Sequence, residues 1–116
     1  MGNMNKMTIS EEAIKELING LLIIMKNNLS AIVLYGSVAR GTDSSDSDVD
    51  IAVILNEPLS PVQEDQLSEL MVDLNLEFGR VFSIVDTEKT MYEQWKEIVP
   101  FYKNLSKEGN TLWEAA

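Results

Sequence analysis

The 116-residue chain contains no cysteine and no histidine. The first absence excludes disulfides, thiolate metal sites and cysteine nucleophiles. The second removes the commonest zinc ligand and the usual general base at neutral pH. Any metal must be held by oxygen, which points to a hard cation such as Mg²⁺ or Ca²⁺. Positive charge is also scarce. Nine Lys and Arg stand against 19 Asp and Glu, giving a formal net charge of −10. Such a surface repels phosphate backbones, so non-specific DNA or RNA binding is not expected, whereas a basic protein surface would suit it. No apolar run approaches the length of a membrane span, and no signal peptide is apparent; no membrane association and a cytoplasmic location are expected.

The length points to one domain over residues 1–116. Residues 1–7 read as a loose polar end and residues 110–116 as a tail. Thr8 and Ser10 are both plausible helix N-caps, and Thr8 with Glu11 fits a capping box. Ile14, Leu17, Ile18, Leu21, Leu22 and Met25 then recur at helical spacing, which predicts a helix over about 9–27. The apolar runs 31–35, 49–55 and 81–85 read as strands. Leu67, Leu70, Met71, Leu74 and Phe78 define a second helix that stops at Gly79. Met91, Trp95, Ile98 and Val99 suggest a third, broken or kinked by Pro100 before 101–105. The sum is an α/β arrangement, a small mixed sheet flanked by helices. Strand order cannot be read from this pattern.

The chemistry is concentrated in residues 36–50. Gly36 halts a strand and lets backbone approach a ligand. Ser37 offers a hydroxyl and an N–H. If Val38–Arg40 begin a short helix, its free N–H groups face whatever lies on that turn. Arg40 brings positive charge to phosphate, or pairs with Asp43 or Asp46. Asp48 and Asp50 lie two apart at the head of a strand, so both carboxylates share one face. Like charges so placed repel unless a cation lies between them. Asp46, Asp48, Asp50 and Glu57 also occupy positions 1, 3, 5 and 12 of a calcium loop, but Ile51 stands where that loop needs glycine.

Gly36-Ser37, ten intervening residues and Asp48-x-Asp50 resemble the signature of the nucleotidyltransferase superfamily that includes DNA polymerase beta. The Ala39-Arg40-Gly41 and Ser47-Asp48 details are similar to its small prokaryotic branch, the minimal nucleotidyltransferases. The run from Pro100 to Gly109 resembles an ending found in part of that branch. The resemblance covers roughly residues 30–109. It implies a nucleotidyltransferase-like fold and a divalent metal, Mg²⁺ or Mn²⁺, held by Asp48 and Asp50. It implies an NTP substrate, most simply ATP, contacted by Gly36, Ser37 and Arg40. It also implies pairing with a helical HEPN-type protein in toxin–antitoxin modules; a homo-oligomer is left open.

Members of the family supply a third carboxylate from a later strand. Here Phe82 and Ser83 stand where it is expected, and Asp86 comes late; Glu77 precedes it on the helix. Asp86 is taken with Asp48 and Asp50 as the catalytic set. Two readings follow: an enzyme that moves a nucleoside monophosphate, AMP, from NTP to a protein, and a degenerate nucleotide-binding module that neutralises its partner.

Overall fold

The computed structural model describes residues 9–41 and 48–116. Helix α1 spans Glu11–Met25, followed by a 3₁₀ turn over Lys26–Asn28. Ser10 caps it: its hydroxyl accepts from the Ala13 N–H at 3.1 Å. Glu11 and Glu12 in the first turn complement the positive end of the helix dipole. The alternative box from Thr8 lies outside the described residues, as does the loose end expected over 1–7. Ala13, Leu17, Leu21 and Met25, spaced four apart, form the buried stripe.

Strand β1 is Leu29–Tyr35, the short helix α2 Gly36–Arg40, and strand β2 Val49–Leu55. β1 and β2 are buried along nearly their whole length and run antiparallel, from Leu29 opposite Leu55 to Tyr35 opposite Asp50. Helix α3, Pro61–Phe78, opens on a capping box between Ser60 and Gln63 with Pro61 at its first position. It returns the chain so that strand β3, Phe82–Glu88, lies parallel to β2. A parallel pair needs such a crossover.

Helix α4, Lys89–Trp95, and helix α5, Pro100–Glu108, are separate. Proline has no N–H and fits the first turn of α5 while ending what precedes it. The tail expected over 110–116 is corrected: Asn110–Glu114 form strand β4, antiparallel to β1, and the sheet order is β3-β2-β1-β4. The turn into β4 needs Gly109, since a Cβ there would overlap the Leu105 carbonyl oxygen and crowd a methyl of Val33.

The sheet divides the core. Ile32, Leu34, Val49, Ile51, Val53 and Leu55 pack against Leu17, Leu21 and Leu74 of α1 and α3. Ala31, Val33, Ala52 and Ile54 meet Leu105, with Tyr35, Tyr92 and Phe101 around them, under α4 and α5. Each fully buried Leu or Ile contributes about 2 kcal/mol by removing apolar surface from water. The first layer therefore carries most of the stability and leaves the second face freer to hold a site. Among the described residues no helix is long and apolar enough to cross a membrane.

Candidate functional site

The pairing of β1 with β2 places the end of one strand beside the start of the other. Tyr35 lies opposite Asp50, so Gly36 and Ser37 turn away from the sheet next to that carboxylate. Gly36 has φ +78°, and a Cβ built on it would overlap Oδ2 of Asp50. Glycine is required twice over, by backbone conformation and by close approach. Gly36→Ala should cost about 1–2 kcal/mol from the left-handed backbone alone. It should also displace Asp50 and weaken metal-dependent NTP binding about tenfold or more, since an overlap inside a packed site must be relieved by movement. Titration calorimetry beside a thermal melt measures both; unaltered NTP affinity would remove Gly36 from the site.

Asp50 is half-buried and Asp48 exposed. Burial pushes the Asp50 pKa above its ordinary value, the Asp48 charge pushes it further, and Arg40 opposes both. The Tyr35 hydroxyl is also raised, first by burial and then by the Asp50 charge. The side chain of Arg40 reaches α5, with NH1 3.7 Å from Oε1 of Glu108; both side chains are about half exposed. A solvated pair of that length is worth little, so Arg40 remains able to exchange Glu108 for another anion. Asp43 and Asp46, the partners expected for it, lie outside the described residues.

The structure does not bring Asp86 to the aspartate pair. β3 runs parallel to β2 with Ser83 level with Asp50 and Asp86 level with Val53. Three residues of strand separate the two positions by about 10 Å, and the odd step turns Asp86 to the opposite face. Glu77 is no substitute: it lies on α3 near Glu16 of α1, in the layer across the sheet, and its proximity raises the Glu16 pKa. The position level with Asp50 holds the half-buried Ser83, one of the two residues that stand where the third carboxylate is expected. Among the described residues no group of three acids could hold a metal. A calcium loop is also excluded, because residues 49–55 are a central strand.

Two carboxylates with all-oxygen donors suit a hard divalent cation. The raised pKa of Asp50 marks a place where added positive charge would be favourable. A part of the site invisible in the sequence lies on α5. Phe101, Asn104 and Glu108 line a cavity shared with Tyr35, Gly36 and Arg40. The run from Pro100 to Gly109 stood out in the sequence through its resemblance alone, with no role attached to its residues.

Comparison with known proteins places these features in context. The family "Polymerase beta, Nucleotidyltransferase" matches residues 14–111. A Methanocaldococcus jannaschii protein named "Putative protein adenylyltransferase MJ0604" is 32% identical over 106 residues, covering 89% of this chain and 97% of its own length. The spectinomycin adenyltransferase AAD(9) of Enterococcus faecialis, solved with ATP and spectinomycin, superposes with a TM-score of 0.74 at 15% identity, over 93% of this chain and 57% of that one. A toxin–antitoxin structure with AMP-PNP superposes with a TM-score of 0.60 at 24% identity, covering 88% of this chain and 73% of that one. At these identities the two structural likenesses establish the fold.

Proposed function

The chain belongs to the polymerase beta nucleotidyltransferase family, and on that premise we propose that it transfers AMP from ATP to a hydroxyl of a protein partner. The observation that carries this reading is the register that sets Gly36, Ser37, Asp48 and Asp50 at one end of the sheet, with Tyr35 opposite Asp50. In this reading the backbone and hydroxyl of Ser37, with Arg40, bind the terminal phosphates. Asp48 and Asp50 hold Mg²⁺ or Mn²⁺. When bound, that ion supplies neutralisation of the charge on the α-phosphate. The acceptor oxygen attacks the α-phosphorus, a new P–O bond forms, and the bond to the bridging oxygen breaks with its electrons leaving on pyrophosphate. The hydroxyl proton passes to water, because Ser83 stands where a carboxylate could take it.

A second reading has its own support. With Ser83 level with Asp50 and Asp86 on the far face, the same pocket binds nucleotide and restrains its partner sterically. The name of the M. jannaschii relative, "Putative protein adenylyltransferase", points to a protein acceptor, and a toxin–antitoxin structure shares the fold. These favour a protein acceptor, and the charge of −10 favours a basic one. A HEPN-type ribonuclease subunit is the partner proposed.

Incubating the chain with such a partner, ATP and Mg²⁺, then weighing the partner intact, tests the proposal. Mass gain in whole AMP units, lost with Asp48→Asn, is the expected result. A stable complex without mass gain supports the restraining module. Transfer to a small alcohol, with no partner retained, refutes both.

A further inference from the structure

Ser83, Asp50 and Tyr35 stand level with one another across β3, β2 and β1. Their side chains leave the same face of the sheet, from strands about 4.8 Å apart. The two flanks of Asp50 differ. On the β1 flank the chain turns at Gly36 into α2, and Arg40 reaches across to Glu108 of α5. That is the side assigned to the terminal phosphates. On the other flank lies β3, the last strand of the sheet in the order β3-β2-β1-β4. Val81 and Val85, two residues to either side of Ser83, are exposed, and Ser83 is half-buried. Its hydroxyl therefore borders both Asp50 and solvent.

We propose that Ser83 is itself an acceptor, so that the chain, with no partner present, transfers AMP to its own Ser83 hydroxyl; the proposal rests on the nucleotide-transfer reading above. In such a displacement the attacking and leaving oxygens lie roughly in line through phosphorus. Pyrophosphate that departs toward Ser37 and Arg40 requires the attacking oxygen on the opposite side of Asp50, and that is the side of Ser83. The Ser83 Oγ bonds to the α-phosphorus, the bond to the bridging oxygen breaks with its electrons leaving on pyrophosphate, and the hydroxyl proton passes to water. A hydroxyl held within the site outcompetes dilute acceptors through its high effective concentration. Neighbouring hydroxyls are placed worse. Tyr35 and Ser37 lie on the pyrophosphate flank. Thr87 is buried four residues further along β3, and its hydroxyl donates to that of Tyr102 at 3.2 Å. The product carries AMP tethered where nucleotide enters, so it competes with fresh NTP. Self-transfer thereby switches the site off when no partner is there to take AMP.

The test incubates the full chain alone with ATP and Mg²⁺, weighs it intact and maps the added mass by fragmentation. Wild type should gain one AMP unit at residue 83, at a first-order rate independent of chain concentration. Ser83→Ala should gain none, and Ser83→Thr, which restores a hydroxyl, should regain the label. Binding supplies a second readout. By calorimetry with the α,β-methylene analogue of ATP, which cannot be transferred, wild type pretreated with ATP and Mg²⁺ should bind about tenfold more weakly than untreated protein, because the tethered AMP occupies the site. Ser83→Ala given the same treatment should bind within about twofold of untreated wild type, which also shows that the variant is folded. Label on any other residue, or a rate at Ser83 that rises with chain concentration, overturns the proposal. So does a chain that adenylylates its partner and gains no mass itself, which leaves the transfer reading standing. If neither chain nor partner gains mass, the transfer reading fails and self-transfer fails with it.

Discussion

Asp50→Asn should abolish metal-dependent nucleotidyl transfer and yet raise the melting temperature of the metal-free protein. The loss follows from removing one of two carboxylates that would hold the cation. Charge neutralisation of that kind is worth several kcal/mol in the transition state, so a fall of about 10³-fold or more is expected. The stability gain follows from the pKa. Burial and the neighbouring Asp48 both raise the Asp50 carboxyl above its ordinary value. A group whose folded pKa is raised binds more protons in the native state than in the unfolded one. Stability therefore falls as pH rises through the interval between the unfolded and folded pKa values, and the deficit persists at neutral pH. Asparagine has the shape without the charge and escapes it.

Because Asp50 is only half-buried, solvent screens the penalty, and the gain should be small, about 2 °C. Melts of wild type and Asp50→Asn without metal should coincide at acid pH, below the ordinary carboxylate range, and separate as the pH rises to 7. Saturating Mg²⁺ with NTP should raise the wild type above the variant, since ligand binding to the native state adds stability by mass action. If the variant melts below wild type at neutral pH without metal, Asp50 has a structural role that the carboxylate pair does not explain.

The aspartate pair and the Gly-Ser turn could be read in the sequence because both are local. The spacing 36–50 and the two-residue alternation of a strand are intrinsic to the segment. Pro100 was equally legible as the divide between α4 and α5, because the missing N–H acts wherever proline falls. Strand β4 was not. Asn110–Glu114 has only Leu112 and Trp113 to bury, both partly, and its place follows from β1 offering an open edge. The location of Asp86 was also inaccessible. Whether a carboxylate in 80–86 reaches Asp50 depends on the register of a parallel pair whose members are joined through an 18-residue helix. A shift of one residue would have reversed the face. The α5 wall of the cavity is likewise tertiary: Phe101 and Tyr35 are neighbours only once the chain has crossed the sheet.

Ser83→Asp should accelerate transfer, which makes this serine the most informative position in the chain. Its Cα is level with that of Asp50 on the adjoining strand, so the two side chains leave the same face. Ser83 is half-buried and not enclosed, so a carboxylate there would reach solvent and the acceptor. It would place a carboxylate beside the aspartate pair, able to take the acceptor proton, and a positioned base contributes about 10²-fold. The cost is a third negative charge beside Asp48 and Asp50. In the metal-free protein this should push the Asp50 pKa higher still and lower stability at neutral pH, with Mg²⁺ and NTP restoring it. Asp86→Asn serves as the control and should change neither rate nor nucleotide affinity, since that residue faces α1 and α3. Single-turnover rates of AMP transfer to the partner, with melts to verify folding, decide the matter. A folded Ser83→Asp protein that binds NTP normally and transfers no faster would show that the serine is no vacant base position. The pocket would then be one shaped to hold nucleotide and partner, and not to join them.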